Sequence, residues 1–271
     1  MLTDSVAPGQ EEEAENQLFK KLTQLSQRHV NTEFQHEEMP LKSIPFTAAD
    51  WTKVKKIYTQ WRDGEIKEGN FIDKCPDIPE GKSYGDPEYE DMLYKEALPP
   101  IPKQFNRDGN SHYDGYYLDT LMADINFDGK PDVVFKIDRG TCDFGSASAG
   151  APIPPTIYLT LLSKNDEYLI DTTGLISNIA DSIHHFNLSV GDGRSHPELS
   201  FIRSISTKNG MVLISGTSGA SKYTHEDPAC CPSFDFRYTF HYYINKNGKG
   251  YAEIDGIYND TQQFKIKLPY R

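Results

Sequence analysis

Long apolar runs are missing from this chain of 271 residues. With them goes any segment able to cross a bilayer as a helix, which takes about 20 consecutive apolar residues. The amino terminus also lacks the basic stretch followed by an apolar one that marks a signal peptide. Basic residues are in deficit, 28 Lys and Arg against 40 Asp and Glu, for a formal net charge of -12. No basic patch stands out, which argues against nucleic acid or an anionic membrane surface as the primary partner. A basic protein or a cation suits this balance better. There is no Gly-rich phosphate loop, and no His or Cys pair at a spacing suited to zinc. His184-His185 has no companion acid at ligand spacing and reads as a surface or core pair; His225 beside Glu226 and Asp227 would need a cleft to do acid/base work.

Cysteine is scarce, and its four positions are Cys75, Cys142, Cys230 and Cys231. An even count in separate segments is compatible with two disulfides and an oxidising compartment. The adjacent Cys230 and Cys231 cannot bond to each other without strain, so each needs a distant partner, and Cys75 and Cys142 are the candidates. The other reading is four reduced, buried thiols in a cytoplasmic protein.

What the chain has is ordinary globular composition, 25% charged and 12% aromatic, and enough length for one sizeable core or two small ones. Residues 1–16 carry Glu11, Glu12, Glu13 and Glu15 with little apolar content and read as a flexible acidic tail. Residues 17–115 read as a helical and loop-rich segment. Leu18, Leu22 and Leu25 recur at helical spacing. Trp51, Val54, Ile57 or Tyr58, and Trp61 form a second stripe after a cap at Thr47. From residue 63 onward Pro, Gly, acid and Tyr dominate, with the cluster Asp86, Glu88, Glu90 and Asp91 expected on a solvated face.

Residues 116–271 read as β. Lys164-Asn165-Asp166, Asn209-Gly210 and Asn247-Gly248 separate strand-like runs and predict hairpins. After Pro232, Phe236, Tyr238, Phe240, Tyr242 and Ile244 alternate with polar or wetter positions, and Phe264, Ile266 and Leu268 repeat the pattern. A short helix is expected at about Leu175–Ile183. Gly216-Thr217-Ser218-Gly219-Ala220 is close to a nucleophile elbow, but its last residue is Ala and no helical pattern follows, so a Gly/Ser-rich loop is the simpler account. The expected fold is mainly β, a β-meander or propeller-like domain with an N-terminal helical segment.

One stretch carries specific chemistry. In Asp124-Ile125-Asn126-Phe127-Asp128-Gly129-Lys130-Pro131-Asp132, oxygen-bearing side chains sit at loop positions 1, 3 and 5, Gly129 supplies a sharp turn, and the Lys130 carbonyl and Asp132 fill positions 7 and 9. Hard oxygen donors without His or Cys favour Ca²⁺. Position 12 is Phe135 where an EF-hand needs a bidentate Glu, and Val133-Val134-Phe135 favours a strand where an EF-hand needs a helix. The loop resembles that of the FG-GAP and VCBS family, of the form DxNxDGxxD leading into a strand. Asn106-Arg107-Asp108-Gly109, Asp192-Gly193 and Asn245-Lys246-Asn247-Gly248 echo it without the full set of acids.

With a single such loop in an acidic, disulfide-capable chain with a polar tail, the sequence resembles periplasmic immunity proteins that inhibit lysozyme-type effectors delivered by rival or sister cells. The resemblance implies a non-catalytic calcium protein of the periplasm or extracellular space that neutralises a basic lytic enzyme, with a signal sequence and a lipid tether belonging to a precursor. Phospholipase or peptidase effectors are equally compatible targets. The alternative is a glycan-binding or glycan-cleaving protein with a structural calcium and a groove lined by some of the 16 Tyr and 14 Phe.

Overall fold

The computed structural model describes residues 44–271 apart from 76, 78, 83–85, 89–94, 100–110, 114–115, 139, 142–155, 191–200, 223–233, 259–261 and 271. The expected helix around Leu18, the acidic tail, Cys142, Cys230, Cys231, His225, Glu90, Asp91 and the echoes at Gly109 and Gly193 lie outside these residues.

Helix α1 (Ala48–Lys67) starts where its sequence says it should. The Thr47 hydroxyl accepts from the Asp50 amide, and the Asp50 carboxylate accepts from the Thr47 amide at 2.8 Å, a reciprocal cap that satisfies otherwise orphaned donors. Asp50, Val54, Tyr58 and Arg62 form the buried strip at a spacing of four, and Trp51, Ile57 and Trp61 flank it as partly buried residues. Leu175–Val190 forms α2, longer than expected because Ile176, Ile179, Ile183 and Phe186 continue one apolar face into the core.

Among the described residues the strands make two open antiparallel five-stranded sheets and one small ribbon. The ribbon pairs β1 (Glu96–Ala97) with β5 (Gly140–Thr141). Sheet I has the order β2 (Ser111–Tyr113), β3 (Tyr116–Ala123), β4 (Asp132–Asp138), β6 (Ile157–Lys164) and β7 (Glu167–Ile170). Sheet II is a meander of β8 (Phe201–Lys208), β9 (Met211–Lys222), β10 (Phe234–Asn245), β11 (Gly250–Tyr258) and β12 (Gln262–Tyr270). The fold is therefore mainly β with an N-terminal helix, and neither sheet closes into a barrel. Among the described residues no helix is long and apolar enough to cross a membrane.

The expected hairpin turns form. Asn165 and Asp166 have φ 50° and 63°, and Asn209 and Gly210 have φ 52° and 68°, the left-handed pairs that match the twist of a two-residue hairpin. One sequence expectation is corrected. Gly216 to Ala220 is not a loop but the middle of β9, with Gly216 opposite Phe240 and Ser218 opposite Tyr238. Small residues sit opposite large rings on the neighbouring strand, so cross-strand packing overrides the local preference for a turn.

Sheet I is covered on both faces. Val133, Phe135 and Ile137 face α1 with Leu118, Leu159 and Leu161, while Val134 and Tyr158 face α2 and the inner side of sheet II. That is why Val133-Val134-Phe135 is continuously apolar and not alternating. Helix α1 thus shares a core with the strands. On sheet II, Tyr238, Phe240, Tyr242 and Ile244 point into that second core and Arg237 and Thr239 point out, as their alternation predicts.

Thr47→Ala breaks the cap and is expected to lower stability by about 1 kcal/mol, seen as a lower urea midpoint at unchanged slope. An unchanged midpoint would mean that packing alone holds the end of the helix.

Candidate metal centre

The segment of interest is the connection from β3 to β4, closed by the pairing of Ala123 with Asp132. Its curl follows from short polar side chains capturing amides a few residues ahead. Asp124 accepts from the Asp128 amide at 3.0 Å and from the Gly129 amide at 2.9 Å. Asn126 Oδ1 accepts from the same Asp128 amide at 3.0 Å, and Asp128 Oδ1 accepts from the Lys130 amide at 2.8 Å. Phe127 at φ 61° and Gly129 at φ 89° supply the left-handed bends.

Asp132 closes the loop from behind. Its fully buried carboxylate accepts from the Ile125 amide at 2.6 Å, the Asn126 amide at 3.1 Å and, from β6, the Ser163 amide at 2.6 Å. Burial pushes its pKa up to about 6 against the pull of those three donors, so it is ionised at neutral pH. Burial also raises the Asp124 pKa, the Gly129 and Asp128 amides oppose it, and the nearby Asp128 charge pushes it further up.

Ser163 completes the centre from a distance of more than thirty residues in sequence. Its hydroxyl lies 3.0 and 2.9 Å from the two Asp128 oxygens and 3.4 Å from the Lys130 carbonyl, and its own carbonyl accepts from Asn126 Nδ2 at 2.6 Å. Sequence reasoning missed it because a single Ser at the end of an apolar strand carries no ligand signature.

The Lys130 side chain turns away from the loop. Its ammonium lies 2.8 Å from Asp50 and 3.6 Å from Asp166, above the Tyr168 ring at 5.4 Å. Burial works against the charge on Asp50, but Lys130 and Thr47 outweigh it and the Asp50 pKa ends below its ordinary value. The hydrogen bond that Lys130 donates to Asp50 likewise raises the Lys130 pKa. Two further bonds tie the loop outward: Thr207 on β8 donates to the Asp124 carbonyl at 2.7 Å, and the Ile44 amide donates to the Gly129 carbonyl at 2.7 Å.

The result is a loop with a buried rear and an open front. Asp132, Lys130 and Gly129 are buried, Asp124 is half-buried, and Asn126 and Asp128 are exposed. Of the five residues singled out by spacing, Asp124, Asn126, Asp128 and the Lys130 carbonyl share one centre at the front; Asp132 lies behind them, fully buried, and both its oxygens, like both of Asp124, hold backbone amides. Among the described residues no group of three or more His, Cys, Asp or Glu is arranged to hold a metal ion. The donor set at the front is two carboxylates, an amide oxygen and a main-chain carbonyl, all hard oxygens of the kind Ca²⁺ takes.

The remaining candidates lie elsewhere. Cys75 is disulfide-bonded. His184 and His185 are exposed on α2 with ring centroids 6.1 Å apart. Ser218 is buried within β9, where its hydroxyl accepts from Asn187 Nδ2 at 2.8 Å, so it does not stand on an elbow. In the turn of the third echo, Asn245 Oδ1 accepts from the Asn247 and Lys249 amides at 2.9 and 3.2 Å.

Asp132→Ala strips an acceptor from three amides and is expected to cost on the order of 3 kcal/mol or more, read by urea denaturation; a loss below about 1 kcal/mol would show that water replaces the carboxylate. Asp50→Asn leaves Lys130 with a much weaker partner and is expected to destabilise by roughly 3 kcal/mol at neutral pH. Because the folded pKa of Asp50 is depressed, its contribution is present above the ordinary carboxylate pKa of about 3.9 and is lost as pH falls below it. The acid limb of the stability curve should therefore be shallower in the variant, and parallel limbs would remove the pair from the account. Comparison of the chain with protein-family models, curated proteins and solved structures finds no match, so a functional reading rests on this centre and its surroundings.

Proposed function

We propose that this chain is a calcium-binding protein of the periplasm or extracellular space that acts by holding a protein target and not by catalysis. The observation that carries the reading is the division of the β3–β4 loop. Its rear is fixed to α1, β6 and β8 by Lys130, Asp132, Ser163 and Thr207, and its front offers oxygens to solvent. Asp124, Asn126, Asp128 and the Lys130 carbonyl would hold the ion, with Ser163 orienting Asp128. Asp132 would anchor the backbone behind them. The ion's part is charge neutralisation, and the loop becomes a rigid edge from which neighbouring turns meet a partner.

A net charge of -12 favours encounter with a basic protein through long-range attraction. The target class that fits is a basic lytic enzyme, as in immunity proteins that neutralise lysozyme-type effectors.

Thermal melts in calcium and in chelator test the metal. Calcium at about a hundred times its dissociation constant adds roughly 2.7 kcal/mol to stability, so the wild type should melt several degrees higher in calcium. Asp124→Ala and Asp128→Ala should melt alike in both conditions. A wild-type melt indifferent to calcium would refute the metal reading. Stoichiometric inhibition of a purified lysozyme-type enzyme tests the target class separately.

A further inference from the structure

A pocket of about 380 Å³ opens beside the loop, where its tip, the start of α2, the β10–β11 turn and the end of β12 meet. That volume is at the small end of the range for ligand sites, about 300–1,000 Å³. Aliphatic core side chains from both sheets form the floor. Phe127, held at φ 61° in the loop, and the half-buried Tyr270 supply aromatic surface, and Tyr270 is braced edge-on by Tyr242 at 5.7 Å and 88°.

The polar lining is mixed and carries no net charge, with one acid, Asp171, and one base, Lys246. Three of the lining side chains, Asp171, Asn178 and Asn245, each have one end committed and the other end without a partner among the described residues. Asp171 Oδ1 accepts from Thr173, which leaves Oδ2. Asn178 Nδ2 donates to the Thr173 carbonyl, which leaves Oδ1 as an acceptor. Asn245 Oδ1 accepts two amides, which leaves Nδ2 as a donor. Because each committed atom is fixed by a backbone group, the orientation of the remaining one is preset.

We infer that this pocket binds a neutral sugar residue. Hydroxyls on a saturated ring both donate and accept, which matches a carboxylate oxygen, an amide oxygen and an amide nitrogen set around one mouth. The C–H face of such a ring is apolar and packs on an aromatic side chain. A strongly charged ligand would find one acid and one base that offset each other. This inference does not depend on the calcium or protein-target readings, although Phe127 places one wall of the pocket on the cation loop.

The test is amide NMR of the full chain titrated with glucose and N-acetylglucosamine, with glucosamine and glucuronate as charged comparators and N-acetylphenylalaninamide as a peptide-like probe. Neutral sugars are expected to bind in the millimolar range with saturable shifts at Phe127, Thr173, Lys246 and Tyr270, and at least threefold more tightly than the charged sugars. Tyr270→Ala and Asn178→Ala should each weaken binding at least fivefold; Asn178 is exposed, so that variant keeps the test valid if loss of Tyr270 disturbs the sheet. Absence of saturable shifts, equal response to charged and neutral sugars, or a preference for N-acetylphenylalaninamide would overturn the proposal. None of these outcomes alters the calcium-dependent melt.

Discussion

The carboxylate of Asp132 is the constraint on which the centre depends. It begins β4, yet its oxygens reach back to the Ile125 and Asn126 amides and across to the Ser163 amide. One side chain therefore fixes where β3 ends, how the loop turns and how β6 aligns with it. A buried charge is costly unless it is well bonded, and three amide donors make this one tolerable. They also make its removal expensive, because amides designed around an acceptor would lose it together.

The Lys130–Asp50 pair extends that constraint to the helix. Asp50 is at once the partner of Thr47 in the reciprocal cap of α1 and the counter-ion of Lys130, so the start of the helix and the turn of the loop are fixed relative to each other. Buried pairs contribute little net stability but strongly select one geometry when either alternative leaves a charge unpaired. Thr207 does the same from sheet II through the Asp124 carbonyl. The loop is thus where α1 and both sheets meet, although it is itself a hairpin connection.

Much of this was legible in the sequence where the information is local. The cap at Thr47, the turns at Asn165-Asp166 and Asn209-Gly210, the alternation in β10 and the run Val133-Val134-Phe135 all encode their conformations within a few residues. What was not legible is what distant strands decide. Gly216 to Ala220 looks like a loop until Tyr238 and Phe240 are placed opposite it. Ser163 has no local mark of its role, because its partners Asp128, Lys130 and Asp132 belong to another strand connection. The spacing of Asp132 suggested a ligand; its burial among amide donors gives it a backbone role as well, which no local pattern marks.

That assignment bears on the electrostatics of the front of the loop. Lys130 is the cation nearest in sequence to Asp124 and Asp128, but its ammonium is committed to Asp50 and Asp166 on the other side. The two front carboxylates therefore face each other with amide dipoles and the Ser163 hydroxyl for company, and the Asp128 charge works against ionisation of Asp124. An added cation would relieve that repulsion while Asp132 keeps its three backbone amides at the rear. Such an ion would stiffen the tip that carries Phe127, so occupancy of the loop and the shape of the pocket beside it would be linked. By reciprocity, were the ion to change the affinity of the pocket for a ligand, that ligand would change the affinity for the ion by the same factor.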